Sequence, residues 1–217
     1  GQSLGGIADY NPAYPPLWED PVARQRTVEL WKTIAARYAN KQWIGGYDLI
    51  NETAYEFPSK NNQPLRDLFI SITNAIRQVD NNHILFIEGN WYATDFGLLS
   101  PPWDNNMAYS FHKYWNSTDI GSIQYLLNLR NSTNCPLWLG ESGENSNTWF
   151  TDVIKLMESN NIGWAWWTIK KVDGINSLMS IPKPVEYDNL LKYWNGQGSK
   201  PSVDYAVNAL TKFAQSL

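Results

Sequence analysis

The chain has 217 residues, of which 43% are hydrophobic, and it carries a formal net charge of −4. We expect a soluble globular protein with one sizeable core, because no apolar run approaches the roughly 20 residues that a membrane span needs. The mild acidity, with Lys and Arg scattered along the chain, argues against a nucleic-acid partner, whose backbone rewards clustered positive charge. A neutral ligand is favoured.

The predicted elements alternate between helices with an amphipathic pattern and short apolar strands. In chain order they are helix 21–38, strand 44–50, helix 66–79, strand 84–88, a short helix 95–98, strand 108–111, helix 120–129, strand 137–140, helix 147–159, strand 164–169 and helix 202–215. Strand followed by helix, repeated five times, predicts an α/β fold with parallel strands and right-handed crossovers. We expect a single domain over residues 1–217.

Functional groups cluster where the predicted strands end. In parallel α/β folds the loops that follow the strands carry function. One strand-end carboxylate alone is usually a solvated loop residue, but here glutamates at strand ends occur together with His, Tyr and Trp at strand ends. The side chains concerned are Asn51, Glu52, Glu88, Trp91, His112, Tyr114, Glu141 and Trp167.

The aromatic content supports a sugar ligand. The chain has 12 Trp and 12 Tyr, and large rings with a polar edge suit surfaces that must be apolar and wet together, as sugar-binding clefts are. Ordinary core packing explains part of this number.

Four segments occur in order and at suitable spacing: WIGGYDLINE, SFHKYW, LWLGESGENSNTWF and GWAWWTIKK. Together they resemble glycoside hydrolase family 5, the endoglucanase family with two glutamates at the ends of strands four and seven of a TIM-type (β/α)8 barrel. The resemblance covers nearly the whole chain. It implies a retaining endo-β-1,4-glucanase that acts on β-glucan.

The resemblance also implies roles for individual residues. Glu52, which follows Asn51, is implied to be the general acid/base, and Glu141 the nucleophile. Further site residues implied are His112, Tyr114 near the nucleophile, Trp167 as the sugar platform at subsite −1 and, more weakly, Trp91 as a second platform. No cofactor is expected, because the chain itself supplies both the nucleophile and the acid.

Chemistry supports the two glutamates independently. Glycosidic cleavage needs one protonated carboxyl for the leaving oxygen and one ionised carboxylate for the anomeric carbon, about 5 to 5.5 Å apart in a retaining enzyme. Asn51 is either a donor to the sugar 2-hydroxyl or a cap of the strand end.

The chain departs from the family pattern in two respects. Thr53 stands where the family has proline after Asn-Glu. More importantly, Glu52 follows the first predicted strand, whereas the family places the acid/base on the fourth, and the opening GQSLGGIADYNP resembles the loop that leaves strand three. We therefore expect a partial barrel without the first three βα units, and without the Arg and His that support the nucleophile and substrate in relatives.

A partial barrel leaves two strand edges and an apolar interior open. The interior side chains expected at the gap include Ile44, Leu49, Phe86, Leu137 and Trp166. Burial by a second copy is one remedy, so we expect a homo-oligomer, most simply a dimer. The alternatives are binding of a separate N-terminal fragment and coverage by residues 1–18 and the C-terminal tail.

Other interpretations stay open at this point. A non-catalytic or weakly active carbohydrate-binding remnant competes with the enzyme, as do xylanase, xyloglucanase and mannanase activities of the same family. Glu88 is a third site carboxylate or a structural group, and we expect His83 at the surface.

We expect a secreted or periplasmic protein whose export signal is not part of this chain. Residues 1–16 themselves have neither the basic nor the apolar region of a signal peptide. The single Cys135 can form no internal disulfide.

Overall fold

The computed structural model describes residues 16–174, 177 and 179–215, except for the side chain of Lys60. Contacts divide the chain into two compact units, Gly1–Ser142 with Thr151–Ala165, and Gly143–Phe150 with Trp166–Leu217. The assignment of a single domain stays a prediction. Among the described helices, none is both long and apolar enough to cross a membrane.

The first unit contains a five-stranded parallel sheet in the order β1-β2-β3-β4-β5. Its strands are β1 Gly46–Asp48, β2 Ile84–Glu88, β3 Met107–Lys113, β4 Leu137–Ser142 and β5 Gly163–Trp164. This sheet with its helices forms part of a TIM-type barrel, as the family resemblance implies, and its parallel strands agree with the strand-helix alternation. The strand predicted over 164–169 is wrong in its extent, because the chain leaves the sheet directly after Trp164.

The helices of the chain are α1 Pro21–Tyr38, α2 Gln63–Arg77, the short turn α3 Asn90–Ala93, α4 Gln124–Thr133, α5 Asn147–Ser159, α6 Val185–Trp194 and α7 Val203–Gln215. α1 begins where the sequence predicts because Asp20 accepts hydrogen bonds from the first amides and Pro21 needs no partner for its nitrogen. The helix predicted over 95–98 is wrong. The turn lies earlier, at α3, and contains left-handed residues, which no periodic pattern signals.

The two faces of the sheet differ in character. The face towards the helices is fully buried and apolar, with Leu85, Ile87, Tyr109, Phe111 and Leu139. Leu49 and Leu137 are also buried. Side chains alternate along a strand, so Leu137 points to the helices while its neighbour Trp138 points to the inner face.

The inner face carries aromatic and polar groups. Phe86 contacts Trp138 at a ring-centroid distance of 5.8 Å, and Asp48 lies beside Ser110. The expectation that Leu49 and Leu137 line an open interior is therefore wrong, because their place in the alternation directs them to the helices.

The edges of the sheet bear on the expected self-association. Within the described part of the chain, β1 pairs only with β2, and β5 only with β4. The homo-oligomer stays a prediction.

A buried polar cluster lies where β2 begins. His83 is only 5% exposed, so its expected surface position is wrong. Its Nδ1 lies 2.5 Å from Asp80 Oδ2, which also accepts a hydrogen bond from the Tyr47 hydroxyl at 2.6 Å. The imidazole is thus satisfied inside the protein by partners that are distant in the sequence or on a turn.

The second unit contains a short parallel pair, β6 Lys170–Val172 and β7 Met179–Ile181, and the hairpin of α6 and α7. In the hairpin, the rings of Tyr187 and Phe213 stack at 4.9 Å. The sequence predicted neither these two strands nor α6. Strands of three residues are too short to show an alternating pattern.

We expect Asp80→Asn to lower the free energy of unfolding by about 2–4 kcal/mol, because it removes the carboxylate from a buried imidazole. Burial acts to raise the pKa of Asp80, but hydrogen bonds from Tyr47, Asn82 and His83 outweigh it and hold the pKa below its usual value. A depressed pKa stabilises the fold above the unfolded value of about 3.9, and the stabilisation disappears as the pH falls through the folded value.

Denaturant unfolding at pH 7 and at about pH 3 measures this effect. The matched control is Asp67→Asn, on the exposed side of α2, which should stay within about 0.5 kcal/mol of the parent. Equal losses in the two variants would show that the Asp80 cluster adds nothing.

Candidate active site

Glu52 lies in the turn that follows β1. It is 4% exposed, and its φ of 44° places the backbone in the left-handed region, which is unfavourable for a residue with a side chain. Its neighbour Asn51 is exposed. The turn therefore directs the Glu52 side chain inwards at the carboxyl end of the strand, in agreement with the site predicted there.

A register shift brings Glu141 to the same place. Along β3 and β4, Ser110 pairs with Trp138 and Phe111 with Leu139, but His112 then pairs with Glu141 and not with Gly140. The extra residue is a β-bulge, a device that re-aims a side chain. A side chain at Gly140 would meet Ser110 Oγ at 2.4 Å, so glycine permits the two strands to approach here.

The end of β3 supplies the groups between the two glutamates. His112 and Tyr114 flank Lys113, whose buried Nζ donates to Asn116 Oδ1 and to the Ser117 carbonyl, both at 2.6 Å. Burial lowers the pKa of Lys113 to about 8. These bonds fix the loop that carries Tyr114.

The predicted residues form one hydrogen-bonded group. His112 Nδ1 lies 2.7 Å from Glu52 Oε1 and 3.7 Å from Glu141 Oε2. The Tyr114 hydroxyl donates to Glu141 Oε2 at 2.6 Å. One oxygen of each glutamate and one nitrogen of His112 all lie within 4.8 Å of one another. The structure thus brings Glu52, His112, Tyr114 and Glu141 together.

The charges of the group favour a protonated histidine. Burial alone lowers the pKa of His112, but the neighbouring carboxylates of Glu52 and Glu88 and the charge of Glu141 raise it to about 10. Burial raises the pKa of Glu141, while the Tyr114 hydroxyl and the His112 imidazolium act against this rise by stabilising the carboxylate.

The same three donor groups have a spacing compatible with a metal ion. Their atoms are, however, engaged with protein partners, since His112 Nδ1 faces Glu52 and Glu141 accepts from Tyr114.

Two further carboxyls belong to this group. Glu88 is buried at the end of β2 and accepts the backbone N–H of Glu52. The sequence left its role open. Asp48, which sequence reasoning missed, is the last residue of β1 and lies on the inner face. A charged residue inside the apolar run YDLI was the available signal.

Trp91 lies in the turn α3, shortly after Glu88 at the end of β2. It is 44% exposed and lines a cavity of about 240 Å³. The other lining residues are Tyr55, Glu56, Phe57, Asn62, Asn90 and Asp95. A sugar-platform role for Trp91 stays a prediction.

Trp167 belongs to the second compact unit. Its backbone forms an isolated parallel bridge with Gly143, and the residue is 52% exposed. In contrast, Trp166 packs against Phe150 at a ring-centroid distance of 5.0 Å. Of these two neighbouring tryptophans, Trp167 is therefore the more exposed, and its role as a sugar platform stays a prediction.

Tyr114→Phe tests the electrostatic description of the group. We expect the pKa of Glu141 to rise further, because the change removes a hydrogen bond to a charged acceptor, worth about 1.5–3 kcal/mol. Carboxyl ¹³C NMR titration measures it, with Tyr193→Phe on α6 as the control. An unchanged Glu141 titration would contradict the role of the Tyr114 hydroxyl.

Comparison with known proteins adds independent information. Endoglucanase C of Acetivibrio thermocellus is 24% identical over 219 residues, covering 72% of this chain and 63% of that protein. A β-xylosidase of Phanerodontia chrysosporium is 31% identical over 117 residues, covering 52% of this chain and 24% of that protein. The crystal structure of Thermotoga maritima Cel5A in complex with mannotriose superimposes with a TM-score of 0.59 at 20% identity, over 70% of this chain and 61% of that one.

These relatives are longer than the region they share with this chain, which spans less than two thirds of each. The structural likeness, at this identity, supports the fold. The family model described as cellulase (glycosyl hydrolase family 5) matches residues 10–173. The chain therefore belongs to the cellulase family, glycosyl hydrolase family 5.

Proposed function

We propose that the chain carries the catalytic glutamates of a retaining endo-β-1,4-glucanase that cleaves β-glucan by double displacement. The observation that carries this proposal is the proximity of Glu52 and Glu141, whose nearest carboxyl oxygens lie within 4.8 Å. Retaining glycosidases hold their carboxyls about 5–5.5 Å apart, whereas inverting enzymes leave about 6.5–9.5 Å for a water molecule.

In the first step, the Glu141 carboxylate attacks the anomeric carbon while the glycosidic C–O bond breaks. Glu52 gives its proton to the departing oxygen, and a covalent glycosyl-enzyme forms. In the second step, Glu52 takes a proton from water, whose oxygen attacks the anomeric carbon and releases Glu141. The Tyr114 hydroxyl and the His112 imidazolium favour the ionised nucleophile that this sequence of steps requires.

The proposal of β-1,4-glucan as the substrate rests on comparison with relatives. An endoglucanase is among the relatives matched over most of this chain, which favours β-1,4-glucan. The name of the β-xylosidase and the mannotriose complex make xylan and mannan the appropriate comparison substrates. Because such polymers lie outside the cell, we propose that the protein is exported.

A reducing-sugar assay on carboxymethylcellulose, barley β-glucan, xylan and mannan tests the proposal, with Glu141→Gln as the inactive control. Release of sugar from the glucans that the control lacks is the expected result. Saccharide binding without turnover would favour the non-catalytic carbohydrate-binding alternative.

The two glutamates should respond differently to removal. We expect Glu141→Ala to abolish turnover, because no covalent intermediate can form. Glu52→Ala should retain activity on aryl glycosides whose leaving group needs no proton, and azide should increase its rate with retained configuration.

Product analysis by NMR distinguishes the assignments. An inverted azide product from Glu52→Ala would exchange the roles of the two residues. Full activity on polysaccharide in either variant would remove that residue from the mechanism.

Trp167→Ala tests the sugar platform. Loss of a stacked indole removes a contact of the kind that contributes about 0.5–1.5 kcal/mol beyond area burial, so kcat/KM should fall at least several-fold while Tm changes little. The matched control is Trp166→Ala, where the ring packs against Phe150 and the main effect should be on Tm. A fall in Tm with unchanged kinetics per folded molecule would make Trp167 a packing residue.

A further inference from the structure

Glu88 is a buried carboxylate that the double-displacement steps do not use. Its side chain is 2% exposed at the end of β2. Burying a carboxylate is unfavourable unless charged or hydrogen-bonded partners compensate. The identity of those partners indicates what Glu88 does.

The first partner is the backbone of Glu52, whose N–H donates to Glu88 Oε2 at 2.5 Å. This amide belongs to a residue with a φ of 44°, and a left-handed backbone is unfavourable for a residue that has a side chain. A charge-assisted hydrogen bond opposes this cost at the residue where it arises.

The second partner is His112. Its Nε2 lies 3.3 Å from Glu88 Oε1, without the alignment of a regular hydrogen bond. The other ring nitrogen, Nδ1, lies 2.7 Å from Glu52 Oε1. A closed ring therefore runs from the Glu52 backbone through Glu88 and His112 back to the Glu52 carboxyl.

We propose that Glu88 is a positioning residue, which fixes Glu52 from both ends by holding its backbone N–H directly and its carboxyl through His112. The backbone bond sets the turn, and the charge of Glu88 keeps a proton on the imidazole that faces Glu52. The two contacts are independent of any activity. Only their consequence for catalysis rests on the proposed function of Glu52.

Among the described residues, four carboxyl groups in all face His112. They are Glu52 and Asp48 from β1 and its following turn, Glu88 from β2, and Glu141 from β4. Although Asp48 is exposed on the inner face, desolvation of its carboxyl and the charge of Glu88 raise its pKa to about 8. The Asp48 side chain also shares a hydrogen bond with Glu88, and Glu88 Oε1 is the carboxyl oxygen that lies 3.3 Å from His112 Nε2.

Two substitutions separate the two contacts. Glu88→Gln keeps the shape and an oxygen that can accept the Glu52 amide, but it removes the charge beside His112. Glu88→Ala removes both. Glu29→Gln, on the exposed side of α1, is the matched control for the loss of one negative charge.

NMR of the whole chain gives a readout that needs no turnover. The chain has two histidines, so the imidazole signals of His112 are assigned by their loss in His112→Asn. We expect the His112 titration midpoint to fall by about one pH unit or more in Glu88→Gln. Hydrogen exchange of the Glu52 amide should stay slow in Glu88→Gln and become at least about tenfold faster in Glu88→Ala.

Steady-state kinetics test the consequence for catalysis. Glu88→Gln should lower kcat and shift its pH profile while KM stays within about twofold, and Glu29→Gln should match the parent. An unchanged His112 titration in Glu88→Gln would overturn the proposal, even if Glu88→Ala fails to fold. Altered titration in a chain that hydrolyses no glucan would preserve the positioning role and reject the proposed activity.

Discussion

One imidazolium holds the carboxyl cluster together. His112 faces Glu52 on one side and Glu88 on the other, and Glu141 lies 3.7 Å from its Nδ1. Without a positive charge at this position, several carboxylates would repel one another in a poorly hydrated space, and protonation would neutralise them. The geometry of the proposed catalytic pair therefore depends on a residue that forms no bond to the substrate in the proposed steps.

The backbone is arranged around this charge. The β-bulge of β4 brings Glu141, and not Gly140, beside His112, and the left-handed turn after β1 brings Glu52 to its other side. Both are local departures from regular geometry, and both lie at the carboxyl end of the sheet. Strained backbone of this kind persists only where its surroundings over-determine it, which the hydrogen bonds of the cluster do here.

The sequence predicts much of this framework because its signals are local. The amphipathic patterns of α2 and α5 and the apolar run of β2 are contained in their own residues, and the polar strand ends show where the site lies. The bulge at Gly140 and the contact from Glu88 to the Glu52 amide depend on pairing between distant segments, which no local pattern contains. His83 shows the same limit, since its burial depends on Asp80 and Tyr47 together.

The shortness of β1 has a consequence for how the segments that carry Glu52 and Glu141 respond to heat. β1 pairs over three residues with β2, whereas the strand that carries Glu141 pairs over five positions with β3. Beyond β1, side-chain bonds such as those between Asn90 and the Tyr55 backbone hold the chain. A segment held in this way opens locally at a lower free energy than a ladder between two long strands. The segment that carries Glu52 is thus the less stable half of the site, and its local order should be lost on warming before the sheet itself unfolds.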